Sequence, residues 1–147
     1  MKILSTTMVI SHRDLDPKNV LWKENNPIII DWESAGFINP MQDVIETALY
    51  WSEDKRGTID KDKFFSVIYG YQGNCGKLQA DWSLVLDNGY LGKLNWLEYN
   101  LKRALRIECS DEEEQKLGVI QVIETIKELK QYDQTIPKLL HWLNHDL

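Results

Sequence analysis

The sequence feature that most constrains the fold is a pair of short apolar runs, 20–22 and 28–30, separated by the polar segment Lys23–Pro27. Such runs on either side of a polar turn predict an antiparallel β-hairpin. In the register that places Trp22 opposite Ile28, Asn19 and Asp31 also face each other, with Cβ atoms about 4.5–5.5 Å apart. The hairpin therefore predicts that an amide oxygen and a carboxylate meet at its open end.

These two side chains, together with Asp14, predict a site for phosphate chemistry. Asn19 and Asp31 offer the oxygen ligands that Mg²⁺ accepts, with water and phosphate oxygens completing its shell. Asp14 precedes Asn19 by five positions, and we expect it to orient a substrate hydroxyl and accept its proton. A phosphoryl-transfer site mainly positions groups and stabilises charge, so Asp14 needs little intrinsic basicity. Three unrelated turn residues are the alternative, since Asp and Asn favour turns.

Residues 12–19 read His-Arg-Asp-Leu-Asp-Pro-Lys-Asn and resemble the kinase catalytic loop, H-R-D-L-x-x-x-N, at every fixed position. The run Asp31–Gly36 with Pro40 and Asp43 close behind is similar to the aminoglycoside phosphotransferase and choline kinase family. A protein kinase would need a long activation segment ending in A-P-E, and no A-P-E occurs here. The resemblance implies that Asp14 is the catalytic base and that Asn19 and Asp31 hold Mg²⁺ against the phosphates of ATP.

The same resemblance gives four residues supporting roles. We expect His12 to pack beneath the catalytic loop without transferring protons, and Arg13 to be exposed or ion-paired. Glu33 either helps bind metal or a cationic acceptor, or is a solvated turn residue. Asp43 either braces the catalytic loop by hydrogen bonds or is an exposed helix charge.

The chain departs from the family pattern at three points. Asp16 stands where many members have a second His, and Lys18 replaces a frequent Gly. Only eleven residues precede His12, whereas a full member has an N-terminal lobe that covers ATP. We therefore expect residues 1–147 to form a single domain, the C-terminal lobe of a kinase-like phosphotransferase, truncated and inactive by itself.

The expected fold class is α+β and mainly α-helical, a protein-kinase-like C-terminal lobe in which a small antiparallel hairpin carries the catalytic loop. Asn39 and Pro40 predict a helix start, with Gln42 completing a capping box. Further helices are predicted after Asp60 and over 82–106, the latter bent or interrupted near its glycines. The remaining expectations are a helix from Ser110 with Ile120, Ile123, Ile126 and Leu129 on its buried side, and a short last helix near Pro137.

Charge and hydropathy restrict the partners and the location. The formal net charge is −6, and no basic run exceeds Lys102-Arg103, which argues against nucleic acid as a partner. No apolar run approaches the ~18 residues that a membrane span needs. Residues 1–10 resemble a signal peptide, but polar residues 5–7 interrupt them and no cleavage site follows. We expect a cytoplasmic protein with no membrane association.

The predicted function is ATP- and Mg²⁺-dependent transfer of the γ-phosphoryl group to a hydroxyl of a small molecule, such as an aminoglycoside-like or choline-like acceptor. One alternative is an enzyme resembling protein Ser/Thr kinases. Another is a non-catalytic half-enzyme that associates with itself or with a separate N-terminal lobe through uncovered apolar surface.

Overall fold

The fold is α+β and mainly α-helical, as the sequence predicted. The structure, a computed structural model, describes residues 7–147, so most of the segment compared above with a signal peptide lies outside the described residues. The chain divides into two compact units, one ending at Val85 and the other comprising Leu86–Leu147.

Four short strands in the first unit form two separate antiparallel pairs. The predicted hairpin is present. A second antiparallel pair joins two strands that lie far apart in the sequence, and the later of these strands was not predicted. The strands are β1 (Val9–Ser11), β2 (Val20–Lys23), β3 (Asn26–Ile29) and β4 (Gly36–Ile38), with β2 paired to β3 and β1 to β4.

The hairpin register differs by one residue from the predicted one. Trp22 lies opposite Pro27, not Ile28, because the connecting loop contains only Glu24 and Asn25. Glu24 has a positive φ of 55°, a conformation that the tight loops of hairpins require. A shift of one residue exchanges the two faces of a strand, so the predicted pairing of side chains was wrong along the whole hairpin.

Helix α1 (Pro40–Ser52) begins where the sequence predicted. The Asn39 side chain accepts from the backbone N–H of Met41 at 2.9 Å and of Gln42 at 3.4 Å. The reciprocal half of the capping box was wrong: within the described residues the Gln42 side chain accepts no bond from the Asn39 backbone, and its amide nitrogen donates to Glu46 at 2.8 Å. The apolar stripe of α1 is buried in its middle, at Val44, Ile45 and Ala48.

Helix α2 (Lys61–Cys75) begins after Asp60 as predicted, is capped by this residue and continues through Gly70 and Gly73. Its last turn closes at Gly76, which has a φ of 80° and supplies the left-handed residue that commonly follows a helix. The helix packs against α1. The buried apolar side chains of α2 are Phe64, Phe65 and Ile68.

Two long helices follow, α3 (Trp82–Ala104) and α4 (Glu112–His145). Helix α3 continues through both of its glycines. Helix α4 is capped by Asp111, not Ser110, and contains Pro137 in its interior, so the prediction of a separate last helix was wrong. A proline inside a helix costs about 3 kcal/mol or more; the burial of Leu139, Trp142 and Leu143 beyond it offsets that cost.

The buried side of α4 also differs from the prediction. Of the four residues expected there, only Leu129 is buried. Gly118 lies against α3 so closely that a Cβ atom on it would come within 2.8 Å of the Cβ of Arg103. This contact turns the Gly118 side of α4 inward, and Ile120, Ile123 and Ile126 consequently lie on the exposed side.

Within residues 7–147, no helix combines the length and the apolar composition that crossing a membrane requires.

Candidate active site

The catalytic-loop motif lies between β1 and β2, as its spacing implied. The motif ends in a 3₁₀ turn, Pro17–Asn19, that leads directly into β2. Asp16 caps this turn by accepting from the backbone N–H of Lys18 at 2.9 Å. Asp16 therefore has a local structural role at the position where it departs from the family pattern.

Asn19 and Asp14 are joined through the amide of Asn19. The Nδ2 atom donates to the main-chain oxygen of Asp14 at 2.8 Å and to its Oδ2 atom at 2.9 Å. Asn19 is 4% exposed, whereas the Asp14 side chain keeps 33% of its surface exposed, so these bonds are partly buried. The two bonds fix the orientation of both side chains, and they leave Oδ1 of each without a partner among the described residues.

The backbone of Asn19 also fixes the far strand of the hairpin. Its carbonyl accepts from the N–H of Ile30 at 3.0 Å. Asn19 therefore lies opposite Ile30, while Asp31 is the next residue along the chain. The predicted meeting of Asn19 with Asp31 is thus displaced by one position, although the two residues remain at the same end of the hairpin.

His12 connects the catalytic loop to the segment that carries Asp31. The ring is buried, and its Nε2 atom is 2.8 Å from the carbonyl oxygen of Ile30. A carbonyl can only accept, so Nε2 bears the proton in this contact. The ring also meets Trp32 edge-on, with centroids 4.8 Å apart. His12 thus contacts the residues on both sides of Asp31.

Asp31 adopts an unusual backbone conformation. Its φ of 63° and ψ of 60° place it in the left-handed region, which non-glycine residues seldom occupy. Such strain persists where the surroundings impose it and is enriched at functional sites. The carboxylate is exposed and has no hydrogen bond or ion pair within residues 7–147, so it is available to a ligand.

The residues present fit a Mg²⁺ ion. The Oδ1 atom of Asn19 and the carboxylate of Asp31 are oxygen donors that lack partners among the described residues. The same part of the chain holds no group of three or more Asp, Glu, His or Cys that could bind a metal. Mg²⁺ tolerates a two-ligand protein site, since it retains water and takes phosphate oxygens.

Arg13 and Glu33 are both exposed beside this segment. Arg13 has a positive φ of 64°, and its guanidinium lies against Gly36, 3.0 Å from where a Cβ atom would be. Glu33 belongs to the 3₁₀ turn Trp32–Ser34 that follows Asp31. Both side chains therefore border the candidate site without contributing to its hydrogen bonds.

Asp43 is half-buried on α1, and within the described residues its side chain makes no hydrogen bond to the catalytic loop. The negative charge of Asp43 acts on the Tyr71 hydroxyl of α2. Burial and a hydrogen bond with Cys75 raise the pKa of the Tyr71 hydroxyl, and the charge of Asp43 adds to this shift.

Trp51 is a site residue that the sequence analysis missed. Its indole N–H donates to the carbonyl oxygen of Leu15 at 2.8 Å, so α1 holds the catalytic loop directly. No local pattern signals this contact, because the two residues are 36 positions apart. Trp51 lies three residues after Ala48 and continues the apolar stripe of α1, so the helical pattern gives no separate hint of this contact.

Comparison with known proteins agrees with the motif. Residues 4–72 match the model of the phosphotransferase enzyme family, APH. No curated protein and no solved structure matches the chain. The matched segment contains the catalytic loop, the hairpin, Asp31 and α1. Over residues 4–72 the chain is therefore similar to the phosphotransferase enzyme family, which confirms the resemblance inferred from the catalytic loop.

Proposed function

We propose that this protein is a kinase-like phosphotransferase that transfers the γ-phosphoryl group of Mg·ATP to a hydroxyl of a small molecule. The observation that carries the proposal is the placement of Asn19. Its amide holds Asp14 while its backbone holds Ile30, the residue before Asp31. One buried residue thereby holds the Asp14 carboxylate and the backbone that leads into Asp31.

Asp14 is suited to orient the acceptor hydroxyl. Asn19 Nδ2 occupies its Oδ2 atom, and Lys18 Nζ lies 4.0 Å from the same oxygen. The Oδ1 atom is left to accept the hydroxyl proton. In a loose phosphoryl-transfer transition state this positioning matters more than strong basicity.

Asn19 and Asp31 are the residues that would hold the metal. A bound Mg²⁺ neutralises charge on the β- and γ-phosphates. Asn19 contributes an amide oxygen, and its amide nitrogen is already bonded to Asp14. Asp31 contributes a carboxylate, and His12 holds the preceding residue, Ile30, by its carbonyl. The Asn19 amide and the backbone next to Asp31 are therefore held before anything binds, which lowers the entropic cost of binding.

The segment after Asp31 favours a small acceptor over a peptide. It forms one 3₁₀ turn, then β4 pairs with β1, and α1 begins at Pro40. A protein kinase has a long activation segment here. The short path supports transfer to a small-molecule hydroxyl, and the identity of that molecule depends on residues outside the motif.

The deciding experiment is a calorimetric titration of Mg·ATP into the chain. We expect binding by the original protein, loss of binding in Asp31→Asn, and unchanged binding in the control Asp133→Asn, an exposed carboxylate on α4. Equal binding by Asp31→Asn and the original protein would contradict the metal role, and no binding by the original protein would contradict the proposed function.

A second variant distinguishes the proposed role of Asp14 from that of Asp31. Asp14→Asn keeps the shape of the side chain and removes its charge, so Mg·ATP affinity should change little. Phosphoryl transfer to an aminoglycoside and choline panel, measured with an ATP-covering N-terminal lobe of the family joined to the chain, should be lost. If Asp14→Asn abolished nucleotide binding as completely as Asp31→Asn, Asp14 would be a metal ligand and the assigned roles would be wrong.

A further inference from the structure

The C-terminal end of α4 carries two of the three histidines of the chain, His141 and His145. Both are exposed, and neither belongs to the candidate active site. Residues four apart on a helix lie on the same side of it. The two rings are nearly parallel, with an interplanar angle of 22° and centroids 4.6 Å apart. Two imidazoles therefore lie side by side at the surface of this helix.

A backbone contact fixes which nitrogen of His145 carries the proton. Its Nδ1 atom lies 3.0 Å from the carbonyl oxygen of His141. A carbonyl can only accept, so Nδ1 donates in this contact and Nε2 of the neutral ring keeps its lone pair. Histidines that bind metals almost always donate their other ring N–H to a carbonyl or a carboxylate, which orients the ring and raises its basicity as a ligand.

The His141 ring is able to complete a chelate with His145. Within residues 7–147 this ring makes no hydrogen bond, so it can rotate toward its neighbour. Zn²⁺, for example, lies about 2.0–2.1 Å from an imidazole nitrogen, so two nitrogens on one ion lie within about 4 Å of each other. A small tilt of the His141 ring meets this requirement. Two histidines at the same spacing on one helix hold the zinc of metalloproteases.

The electrostatic surroundings favour a cation at this end of the helix. Helix α4 ends at His145, and the last carbonyls of a helix carry partial negative charge that stabilises cations. Asp146, the C-cap residue, adds an exposed carboxylate. Lys138, the lysine nearest to the pair along the helix, places its Nζ atom over the ring of Trp142, 4.5 Å from the centroid.

We propose that His141 and His145 together chelate a divalent transition-metal ion of the class that imidazole prefers, Ni²⁺, Cu²⁺ or Zn²⁺. The protein supplies two nitrogen ligands, and water fills the other positions. Mg²⁺ prefers oxygen ligands, so this site is distinct from the candidate active site. The inference does not depend on the proposed function, because the two sites share no residue.

The bound ion joins two successive turns of α4 beyond Pro137, in the part of the helix that ends at His145. The two imidazoles are close together only while this part is helical, so the ion binds the folded chain in preference to the unfolded one. A ligand with this preference raises the stability of the folded state in proportion to the logarithm of its concentration. The site therefore acts as a metal-dependent clamp on the end of α4.

The first test is a calorimetric titration of Ni²⁺ into the whole chain at neutral pH, with Mg²⁺ in excess to occupy oxygen sites. Ni²⁺ is the probe because thiolates such as that of the exposed Cys75 select zinc. The original protein should bind one ion. His141→Gln and His145→Gln should each raise Kd about tenfold or more, at least the loss that follows removal of an outer-shell partner.

A matched control tests whether the two rings act together. The variant K130H/H145Q keeps two histidines on α4 but places one at an exposed position about 16 Å along the helix from His141. It should bind Ni²⁺ as weakly as His145→Gln, because no single ion reaches both rings. Circular dichroism establishes that the variants retain their helices.

Thermal unfolding gives a second readout of the same site. Ni²⁺ should raise the Tm of the original protein, and a chelator should reverse the shift. His145→Gln and K130H/H145Q should show a smaller shift or none. Acidification should weaken Ni²⁺ binding by the original protein, because only the neutral imidazole binds a metal.

Three outcomes would overturn the proposal. The first is the absence of Ni²⁺ binding by the original protein at submillimolar metal. The second is equal binding by His145→Gln and the original protein, since the ion would then lie elsewhere. The third is binding by K130H/H145Q as tight as that of the original protein, which would show that the imidazoles act independently.

Discussion

The amide of Asn19 donates to the Asp14 carboxylate at 2.9 Å and to the Asp14 carbonyl at 2.8 Å, so one buried side chain holds Asp14 in two places. A hydrogen bond to a charged group contributes about 1.5–3 kcal/mol, and a buried partner left unsatisfied costs about 1–3 kcal/mol. Asn19 therefore stabilises the conformation of the loop that carries Asp14.

Replacement of Asn19 should consequently lower stability as well as remove a proposed metal ligand. We expect Asn19→Ala to reduce the free energy of unfolding by about 1–3 kcal/mol in urea denaturation, because both Asp14 acceptors lose their donor. Asn95→Ala, at an exposed position of α3, is the control and should not destabilise the protein. Equal stability of the two variants would show that the bonds to Asp14 contribute nothing.

Trp51 should influence the proposed binding of Mg·ATP although it lies on α1 and outside the catalytic-loop motif. Trp51→Phe removes the bond to the Leu15 carbonyl but keeps an aromatic ring, so we expect a loss of about 0.5–1.5 kcal/mol in unfolding free energy. Mg·ATP affinity measured by calorimetry should fall with it, because the loop is held less firmly. Trp96→Phe, at an exposed tryptophan, should leave the affinity unchanged. A similar effect in both variants would show that the Trp51 bond to Leu15 has no specific role in binding.

Gly118 should be the least replaceable glycine of the two long helices. In Gly118→Ala the new Cβ atom would lie 2.8 Å from the Cβ of Arg103 and 2.9 Å from the backbone nitrogen of Ala104, so we expect a loss of about 1–3 kcal/mol from overpacking. Gly92→Ala meets nothing within 4 Å and should instead gain about 0.5–1 kcal/mol in helix propensity. Thermal unfolding of both variants measures the difference, and a stabilised Gly118→Ala protein would disprove the close contact.

Glu114 should make stability depend on pH near the start of α4. Its carboxylate accepts from the Ser110 hydroxyl and backbone N–H, both at 2.6 Å; these bonds, with a smaller contribution from Arg103, lower the pKa of Glu114. Because the pKa is lower in the folded state, the stabilisation is complete above the unfolded pKa of about 4.3 and is lost as pH falls through the lowered folded pKa.

Glu114→Gln should therefore reduce the loss of stability on acidification, as measured by urea unfolding at a series of acidic pH values. Ser110→Ala, which removes the hydroxyl donor alone, should have a smaller effect in the same direction. An acid profile that is identical in Glu114→Gln and the original protein would contradict this account.

Much of the candidate site follows from the sequence because its signals are local. The spacing of Asp14, Asn19 and Asp31 identified the resemblance that the family match then confirmed over residues 4–72. The cap at Asn39 was predicted for the same reason, since an N-cap bonds to the backbone within three residues. Such signals depend on neighbouring positions and need no knowledge of distant packing.

The sequence by itself therefore determined the mainly helical fold class, the hairpin and the residues of the catalytic loop. Tertiary structure decided the hairpin register, the Trp51 bond to Leu15 and the buried side of α4. Helix α4 has apolar residues on more than one side, so periodicity could not select between them, and the close approach of Gly118 to α3 made the choice. Contacts between residues far apart in the chain have no local signature, because their free energy depends on which surfaces meet.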